Sequence, residues 1–181
     1  MSAPFRNQTP HIVGEGDMLL ADVAARVQLP PGQYAVAEGR YQTLAGWIER
    51  DGSPLQGLVA RVYGQGSVSY GAMVANRATN DEYDVDALVE LLVREDADPQ
   101  WVLDTLFQAV AGEPGSRYHG MVFRHTRCVQ VRYADRMHVD LTPAVLRRER
   151  PERESTIFHH RHETPGVPGT HVIANPYGFA E

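Results

Sequence analysis

The sequence predicts an α+β domain in which helices pack on one side of a mixed, twisted sheet. Some segments place apolar residues three and four apart, as helices do, and others alternate apolar and polar residues, as strands do. The helical segments are 17–28, 34–48 and 98–110, and the strand segments are 58–63, 84–86 and 129–142. We expect one domain spanning 1–181 with N-terminal helices in 1–52, because 43% hydrophobic residues can bury a core of that size.

The helices are delimited by breaks and caps. The first helix ends before the Pro30-Pro31 break, the second follows it and ends near Asp51, and Asp98 and Pro99 supply the N-cap and first position of the third. The expected core-facing residues are Tyr34, Ala37, Tyr41, Leu44 and Ile48 in the second helix and Val102, Leu103, Leu106, Phe107 and Val110 in the third. We expect the two N-terminal helices to lie across the back of the sheet.

Three aspartates occupy the predicted strands. Because side chains alternate along a strand, Asp84 and Asp86 share one face while Val85 points to the other. Asp140 lies between apolar neighbours, so it and His138 face away from the core. Carboxylates on one face repel each other unless a cation lies between them, and a third carboxylate on a neighbouring strand would complete a cluster for two hard ions about 3.5–4 Å apart. The pattern predicts a magnesium site at these aspartates.

A glycine-serine turn follows the first predicted strand. Residues 58–63 run into Gly64-Gln65-Gly66-Ser67, which ends the strand and predicts a short helix through 69–72. A glycine lets the backbone approach a phosphate closely, and a following helix N-terminus offers free N–H groups and a hydroxyl to its oxygens. We therefore predict that Gln65, Gly66 and Ser67 bind a nucleotide.

This order of strand, Gly-Ser turn, short helix, Asp-Val-Asp strand and separate aspartate strand resembles the DNA polymerase beta nucleotidyltransferase superfamily. Within it, the chain is most similar to the bacterial CD-NTases, relatives of cyclic GMP-AMP synthase that make cyclic oligonucleotide signals. The segments that carry the resemblance are 65–71, 81–91, 138–144 and 174–181. The resemblance implies a polymerase-beta-like nucleotidyltransferase core.

The resemblance also implies a reaction. Two Mg²⁺ ions, with Mn²⁺ as an alternative, would be held by Asp84 and Asp86, with Asp140 on the ion nearer the attacking hydroxyl. Nucleoside triphosphates would be joined into a cyclic di- or trinucleotide with release of pyrophosphate, and the product would act on a separate effector in antiphage, CBASS-type signalling. Two alternatives remain open: a toxin- or antibiotic-modifying nucleotidyltransferase, and a nucleotide-binding fragment without turnover.

Two departures from the family pattern concern the nucleotide pocket. Gly71-Ala72 stands where relatives usually have Gly-Thr, and the sequence stops at Glu181 and contains no lysine. Family members continue into a helical C-terminal half that closes the pocket and usually supplies a lysine to the triphosphate. We expect the chain to be the N-terminal catalytic half, and to form cyclic product slowly unless it is extended past Glu181.

Composition narrows the partners. The net charge of −6 argues against binding of duplex nucleic acid, which usually requires a basic face. No apolar run approaches the roughly 20 residues of a membrane helix, and the N-terminal residues lack a secretory apolar region. The single cysteine, Cys128, fits a reducing cytoplasm. We expect a cytoplasmic protein that does not contact membranes.

Several conspicuous residues have simple structural interpretations. Cys128 is expected to be a buried structural thiol, and Trp47 and Trp101 are expected to pack in the core. The histidine run at 159–162 is interpreted as polar surface rather than a zinc site, and the charged run at 147–154 as a solvated loop rather than a phosphate-binding arm. His138 is left open between a supporting role beside the site and simple exposure.

Overall fold

The computed structural model describes residues 14–27, 31–66, 83–147, 154–164 and 166–176. These residues form a mixed α+β fold, as the sequence predicts. The helices are α1 (Glu15–Val27), α2 (Pro31–Ile48) and α3 (Pro99–Ala111). The strands are β1 (Val59–Gly64), β2 (Tyr83–Leu91), β3 (Val122–Arg124), β4 (Val129–Arg132), β5 (Met137–Leu146), β6 (Ser155–His159) and β7 (Thr170–Ala174).

The seven strands form one sheet centred on β5. The main order is β1-β2-β5-β4-β3, and β6 pairs with both β5 and β7. Strands β2 and β5 run parallel, whereas every other pair is antiparallel. β5 pairs with β4 through residues 138–141 and with β6 through 144–146, so both halves of β5 have partners on that side. The prediction of a mixed sheet is therefore confirmed, and its one parallel pair among the described strands lies at the centre.

Helices α2 and α3 cover one face of the sheet. Their buried residues belong to the same apolar cluster as the inward-facing strand residues. The cluster includes Ala37, Leu44 and Ile48 of α2, Val102, Leu103, Leu106 and Val110 of α3, and Val85, Val89, Val131, Val139 and Leu141 of the strands. The helical spacing predicted the α2 and α3 members correctly, while the other predicted residues, Tyr34, Tyr41 and Phe107, are partly buried and pack against the cluster. On the opposite face, the N-terminal halves of β2 and β5 carry the polar residues Asp84, Asp86, His138 and Asp140.

The ends of α2 and α3 are joined by hydrogen bonds. Trp47 Nε1 donates to the carbonyl of Val110 at 2.8 Å, and Arg50 Nη1 donates to the carbonyl of Ala109 at 2.6 Å. The last carbonyls of a helix have no partner within it, so these donors satisfy groups that would otherwise need water. The Trp47 ring also packs edge-on against Tyr118, at 5.6 Å between centroids. The predicted packing role of Trp47 is confirmed, and the predicted N-cap of α3 is present, with Asp98 Oδ1 accepting from Gln100 N at 3.0 Å.

The prediction for the first helix is wrong in its packing. Helix α1 forms close to the expected bounds, but its apolar residues Met18, Leu19, Leu20 and Val23 are exposed. Spacing identifies an apolar stripe without identifying its partner, and the back of the sheet is already covered by α2 and α3. Trp101 is also not in the core: it is 48% exposed, because α3 turns its neighbours Val102 and Leu103 inward instead.

The polar-surface interpretation fails for His160. This residue is 8% exposed, and its Nδ1 accepts a hydrogen bond from Arg124 Nη2 at 3.0 Å. Arg124 also donates to the carbonyl of His160 at 2.7 Å and to Asp104 at 2.9 Å. Because side chains alternate along a strand, His160 lies on the same side as the buried Phe158. This alternation could have predicted the burial of His160 from the sequence.

Two further predictions extend past the described residues. Of the charged run, Arg147 contacts Glu95 and Glu154 at 3.1 Å, whereas 148–153 lie outside the described part. The family-like segment at 174–181 is described only to residue 176. Within the described ranges, the helices are too short or too polar to cross a membrane.

Core packing on α3 can be tested with two neighbouring residues. We expect Leu103→Ala to lower the free energy of unfolding by about 2–5 kcal/mol, because Leu103 is fully buried and the truncation leaves a cavity. Trp101→Ala removes a larger side chain, but from a half-exposed position, and should cost about 1 kcal/mol or less. Urea unfolding of both variants measures the difference, and a larger loss for Trp101→Ala would contradict this packing.

Candidate active site

The three predicted aspartates lie on one face of the parallel pair. Asp86 of β2 is directly opposite Asp140 of β5, and Asp84 is opposite His138. The intervening residues Val85 and Val139 are fully buried on the helix-covered face. The alternation along each strand therefore places all three carboxylates on the face away from the helices, as the sequence predicts.

Burial and neighbouring like charges together raise the pKa of Asp86. Burial raises the pKa of its carboxyl group above the ordinary value, and Asp140 and then Asp84 raise that pKa further. Arg127 acts in the opposite direction and lowers the pKa. A half-buried carboxylate beside two others is poorly stabilised as an anion, so this position favours a cation.

His138 contacts the site rather than solvent alone. Its Nδ1 lies 3.4 Å from Asp84 Oδ1, and its side chain is 19% exposed, whereas that of Asp84 is 69% exposed. The sequence left open whether His138 supports the site or is simply exposed, and this contact places it beside the carboxylates. Asp84 forms the open rim of the cluster and Asp86 its covered centre.

The end of β1 lies against Asp86. Gln65 N donates to the carbonyl of Asp86 at 2.9 Å, and a Cβ atom at Gly66 would lie 3.2 Å from Asp86 Oδ2. Gly66 has a φ of +60°, in the region that favours glycine. The predicted turn therefore adjoins the carboxylates, while Ser67 and the predicted helix at 69–72 lie outside the described residues.

Two residues that the sequence did not place at the site lie beside Asp140. Gln130 Nε2 donates to Asp140 Oδ1 at 2.9 Å, and Cys128 Sγ lies 3.7 Å from Asp140 Oδ2. The signal was available: the turn at 134–136 places Tyr133 opposite Met137, and three residues further along each strand Gln130 opposes Asp140. The environment of Asp140 could have been found from hairpin register.

Cys128 is a buried structural thiol, as predicted. Burial raises the pKa of its thiol to about 12, with Asp140 as the next cause. A thiol with so high a pKa remains protonated at neutral pH and is a poor nucleophile. It can therefore donate weakly to Asp140 without reacting.

The chemistry of the donors fits a hard divalent cation. Carboxylate oxygens are the ligands that Mg²⁺ prefers, and Mg²⁺ is usually held by one or two carboxylates together with water and substrate phosphates. In the described part of the chain, no three His, Cys, Asp or Glu side chains are arranged closely enough to enclose a metal ion by themselves. Asp84, Asp86 and Asp140 offer oxygen donors of the kind that Mg²⁺ takes together with water or phosphate oxygens.

Repulsion at Asp86 has a testable effect on stability. The raised pKa means that Asp86 contributes stability while protonated at low pH, and that this contribution is lost as pH rises through the folded-state pKa. We expect Asp86→Asn to raise the melting temperature at pH 7 in metal-free buffer, and the gain to shrink as pH falls towards 4.

The matched control is Asp51→Asn, at an exposed aspartate that accepts a hydrogen bond from Gln56. Thermal melts of both variants from pH 4 to 8 check the prediction. Equal melting temperatures of wild type and Asp86→Asn at pH 7, or a gain that grows on acidification, would show that the carboxylates do not repel appreciably.

Comparison with known families identifies the domain. The model of the Second Messenger Oligonucleotide or Dinucleotide Synthetase domain matches residues 19–160. The cyclic dinucleotide synthase CdnG of Bradyrhizobium diazoefficiens is 42% identical over 165 residues, which are 91% of this chain and 38% of that protein. The c-di-GMP synthase of Roseivirga ehrenbergii is 23% identical over 128 residues, which are 70% of this chain and 33% of that protein.

Solved structures share the fold. The structure of the B. diazoefficiens CD-NTase CdnG in complex with GTP superposes with a TM-score of 0.76 at 40% identity, covering 92% of this chain and 46% of that one. Escherichia coli MS115-1 CdnC with ATP gives a TM-score of 0.58 at 17% identity over 90% of this chain and 48% of that one, a likeness of fold alone. The chain spans less than half the length of these relatives. On the family match and its similarity to CdnG, the chain belongs to the CD-NTases, a family of nucleotidyltransferases with a polymerase-beta-like core.

Proposed function

We propose that this chain carries the catalytic site of an enzyme that joins nucleoside triphosphates into a cyclic di- or trinucleotide and releases pyrophosphate. The observation that carries the proposal is the register of β2 and β5, which places Asp86 opposite Asp140 with Gly66 against Asp86. A phosphate-binding turn and a carboxylate cluster are the two parts that metal-assisted nucleotidyl transfer requires. Similarity to CdnG supports the same activity.

Each residue has a role in the proposed reaction. Asp84 and Asp86 would hold two Mg²⁺ ions, or Mn²⁺ in their place, and Asp140 would hold the one nearer the acceptor hydroxyl. When bound, the ions would neutralise triphosphate charge and lower the pKa of that hydroxyl. Asp140 then accepts the hydroxyl proton as the ribose oxygen attacks the α-phosphorus in line and pyrophosphate leaves.

The Gly-Ser turn serves the phosphates. A Cβ atom at Gly66 would crowd Asp86 Oδ2 at 3.2 Å, so the glycine allows the backbone to approach both a phosphate and the carboxylates. Ser67 would offer its hydroxyl to the β- or γ-phosphate, and Gln65 keeps the turn attached to β2 through the carbonyl of Asp86. The turn would thus align the triphosphate with the carboxylates.

Substrate and biological role are part of the proposal. GTP is bound in the CdnG structure that superposes on 92% of this chain, so we expect GTP to be one substrate here. The cyclic product would leave the enzyme and act on a separate effector, as the family resemblance implies for antiphage, CBASS-type signalling. The net charge of −6 favours small nucleotides over duplex nucleic acid, and we place the reaction in the cytoplasm.

A product assay tests the reaction. The protein is incubated with labelled ATP, GTP, CTP and UTP and Mg²⁺, and products are resolved by chromatography and mass. We expect Asp86→Asn and Asp140→Asn each to reduce cyclic product by about 100-fold or more, because the lost charge stabilisation is several kcal/mol. Asp96→Asn is the control, since Asp96 is an exposed partner of Arg94.

Other products would identify other reactions. Label on a protein or drug hydroxyl would favour a modifying nucleotidyltransferase, and nucleotide binding without product would favour a scaffold. Absence of cyclic product both from this chain and from a version extended past Glu181 would contradict the proposal.

The role of the turn can be separated from its conformation. Gly66 and Gly57 both have positive φ, +60° and +72°, so an alanine at either should cost about 1–3 kcal/mol of stability. Only at Gly66 would the new Cβ meet a carboxylate oxygen, at 3.2 Å, whereas at Gly57 nothing lies within 4 Å. We expect Gly66→Ala, but not Gly57→Ala, to weaken nucleotide use in steady-state kinetics, and equal effects of both would assign Gly66 a purely conformational role.

A further inference from the structure

A chain of polar contacts leads away from Asp140 across three strands. Gln130 Nε2 donates to Asp140 Oδ1 at 2.9 Å, and Arg132 Nε donates to Gln130 Oε1 at 2.6 Å. The Arg132 guanidinium in turn lies over the ring of Phe123, 4.1 Å from its centroid. The contacts run from β3 through β4 to β5 on the face that bears the carboxylates. They connect Asp140 to Phe123, an exposed residue of the edge strand β3.

The chemistry of Arg132 fixes the orientation of the Gln130 amide. A guanidinium has only donors, so it must face the carbonyl oxygen of the amide, and this leaves the NH₂ group for Asp140. The reverse orientation would place NH₂ against N–H and a carbonyl against a carboxylate. Phe123 holds the guanidinium by a cation–π contact. Asp140 therefore receives a donor whose direction is set by two further side chains.

Asp140 needs such a donor because its neighbours repel it. Asp86 lies directly opposite Asp140 on β2 and on the same face of the sheet, so the two carboxylates repel each other. A side chain that is free to rotate would move its carboxylate away from that charge. Gln130, opposite Asp140 on β4, donates a hydrogen bond to Oδ1 and so restricts rotation of the carboxylate. The remaining lone pairs of the carboxylate stay available to a cation.

We infer that Gln130 is a positioning residue that holds Asp140 ready for a divalent cation, and that Arg132 fixes Gln130 in that role. The inference rests on the proposed function, because it requires that Asp140 serve a metal-dependent reaction. Hydrogen-bond partners that orient metal ligands typically contribute 10- to 100-fold in metal affinity or activity.

Metal binding in the absence of turnover tests the inference. Mn²⁺ is titrated into the protein without nucleotide, and the free ion is followed by electron paramagnetic resonance. We expect Gln130→Met, which keeps the length of the side chain without a hydrogen-bond donor, to weaken Mn²⁺ binding about tenfold. Gln56→Met is the matched control, since Gln56 is an exposed glutamine that donates to Asp51, and it should bind as the wild type does.

The same variants separate positioning from general destabilisation. At a temperature where thermal melts show each variant folded, Gln130→Met should lower kcat and raise the Mg²⁺ concentration for half-maximal rate, while KM for nucleotide at saturating Mg²⁺ stays unchanged. Should Gln130→Met fail to fold, Arg132→Met carries the test: it leaves Gln130 in place but frees its amide, and we expect about threefold weaker Mn²⁺ binding, less than the 10-fold of a lost direct partner.

Asp86→Asn distinguishes the inference from the function on which it rests. Weaker Mn²⁺ binding in both Asp86→Asn and Gln130→Met supports the positioning role. Weaker binding in Asp86→Asn with wild-type binding in a folded Gln130→Met, or in Arg132→Met if that variant carries the test, overturns the positioning role alone. Equal binding by wild type and Asp86→Asn overturns the metal site and the positioning role together.

Discussion

The parallel pairing of β2 with β5 is the constraint on which the site depends. Parallel strands place residues of the same parity on the same face, so one register decides whether Asp86 meets Asp140 or a buried valine. The apolar residues between the aspartates fix that register, because Val85 and Val139 are buried under the helices. The hydrophobic core therefore sets the spacing of the carboxylates, although it touches only the opposite face.

The site combines repulsion within the cluster with support from its edges. Asp86 is the covered centre of the cluster, and its anionic form is destabilised, since burial, Asp140 and Asp84 all raise its pKa. The turn after β1 contacts Asp86 from one side through Gln65, and Gln130 restrains Asp140 from the other. A cluster held in this way is organised before a cation or nucleotide arrives, which reduces the cost of ordering it during the reaction.

Local patterns predicted what depends on local geometry. The shared face of Asp84 and Asp86 follows from the two-residue period, and the core residues of α2 and α3 follow from helical spacing. The pairing of Asp86 with Asp140 depends on a crossover through α3, β3 and β4, so the sequence indicated a neighbouring strand without its register. Exposure of α1 and of Trp101, and burial of His160, depended on which surfaces were already covered, and spacing carries no information about that.

The two-residue period also determines where the chain tolerates changes in length. The crossover between β2 and β5 is long, and its contacts with the carboxylates come from the segment around β4, through Cys128 and Gln130. Residues inserted into the loops around α3 would therefore leave the register of β2 and β5 intact. One residue inserted between Met137 and Asp140 would instead turn the carboxylate into the apolar layer under the helices. We therefore expect natural length variation in relatives to fall in the loops around α3, while the short run from the β4–β5 turn to Asp140 keeps a fixed length.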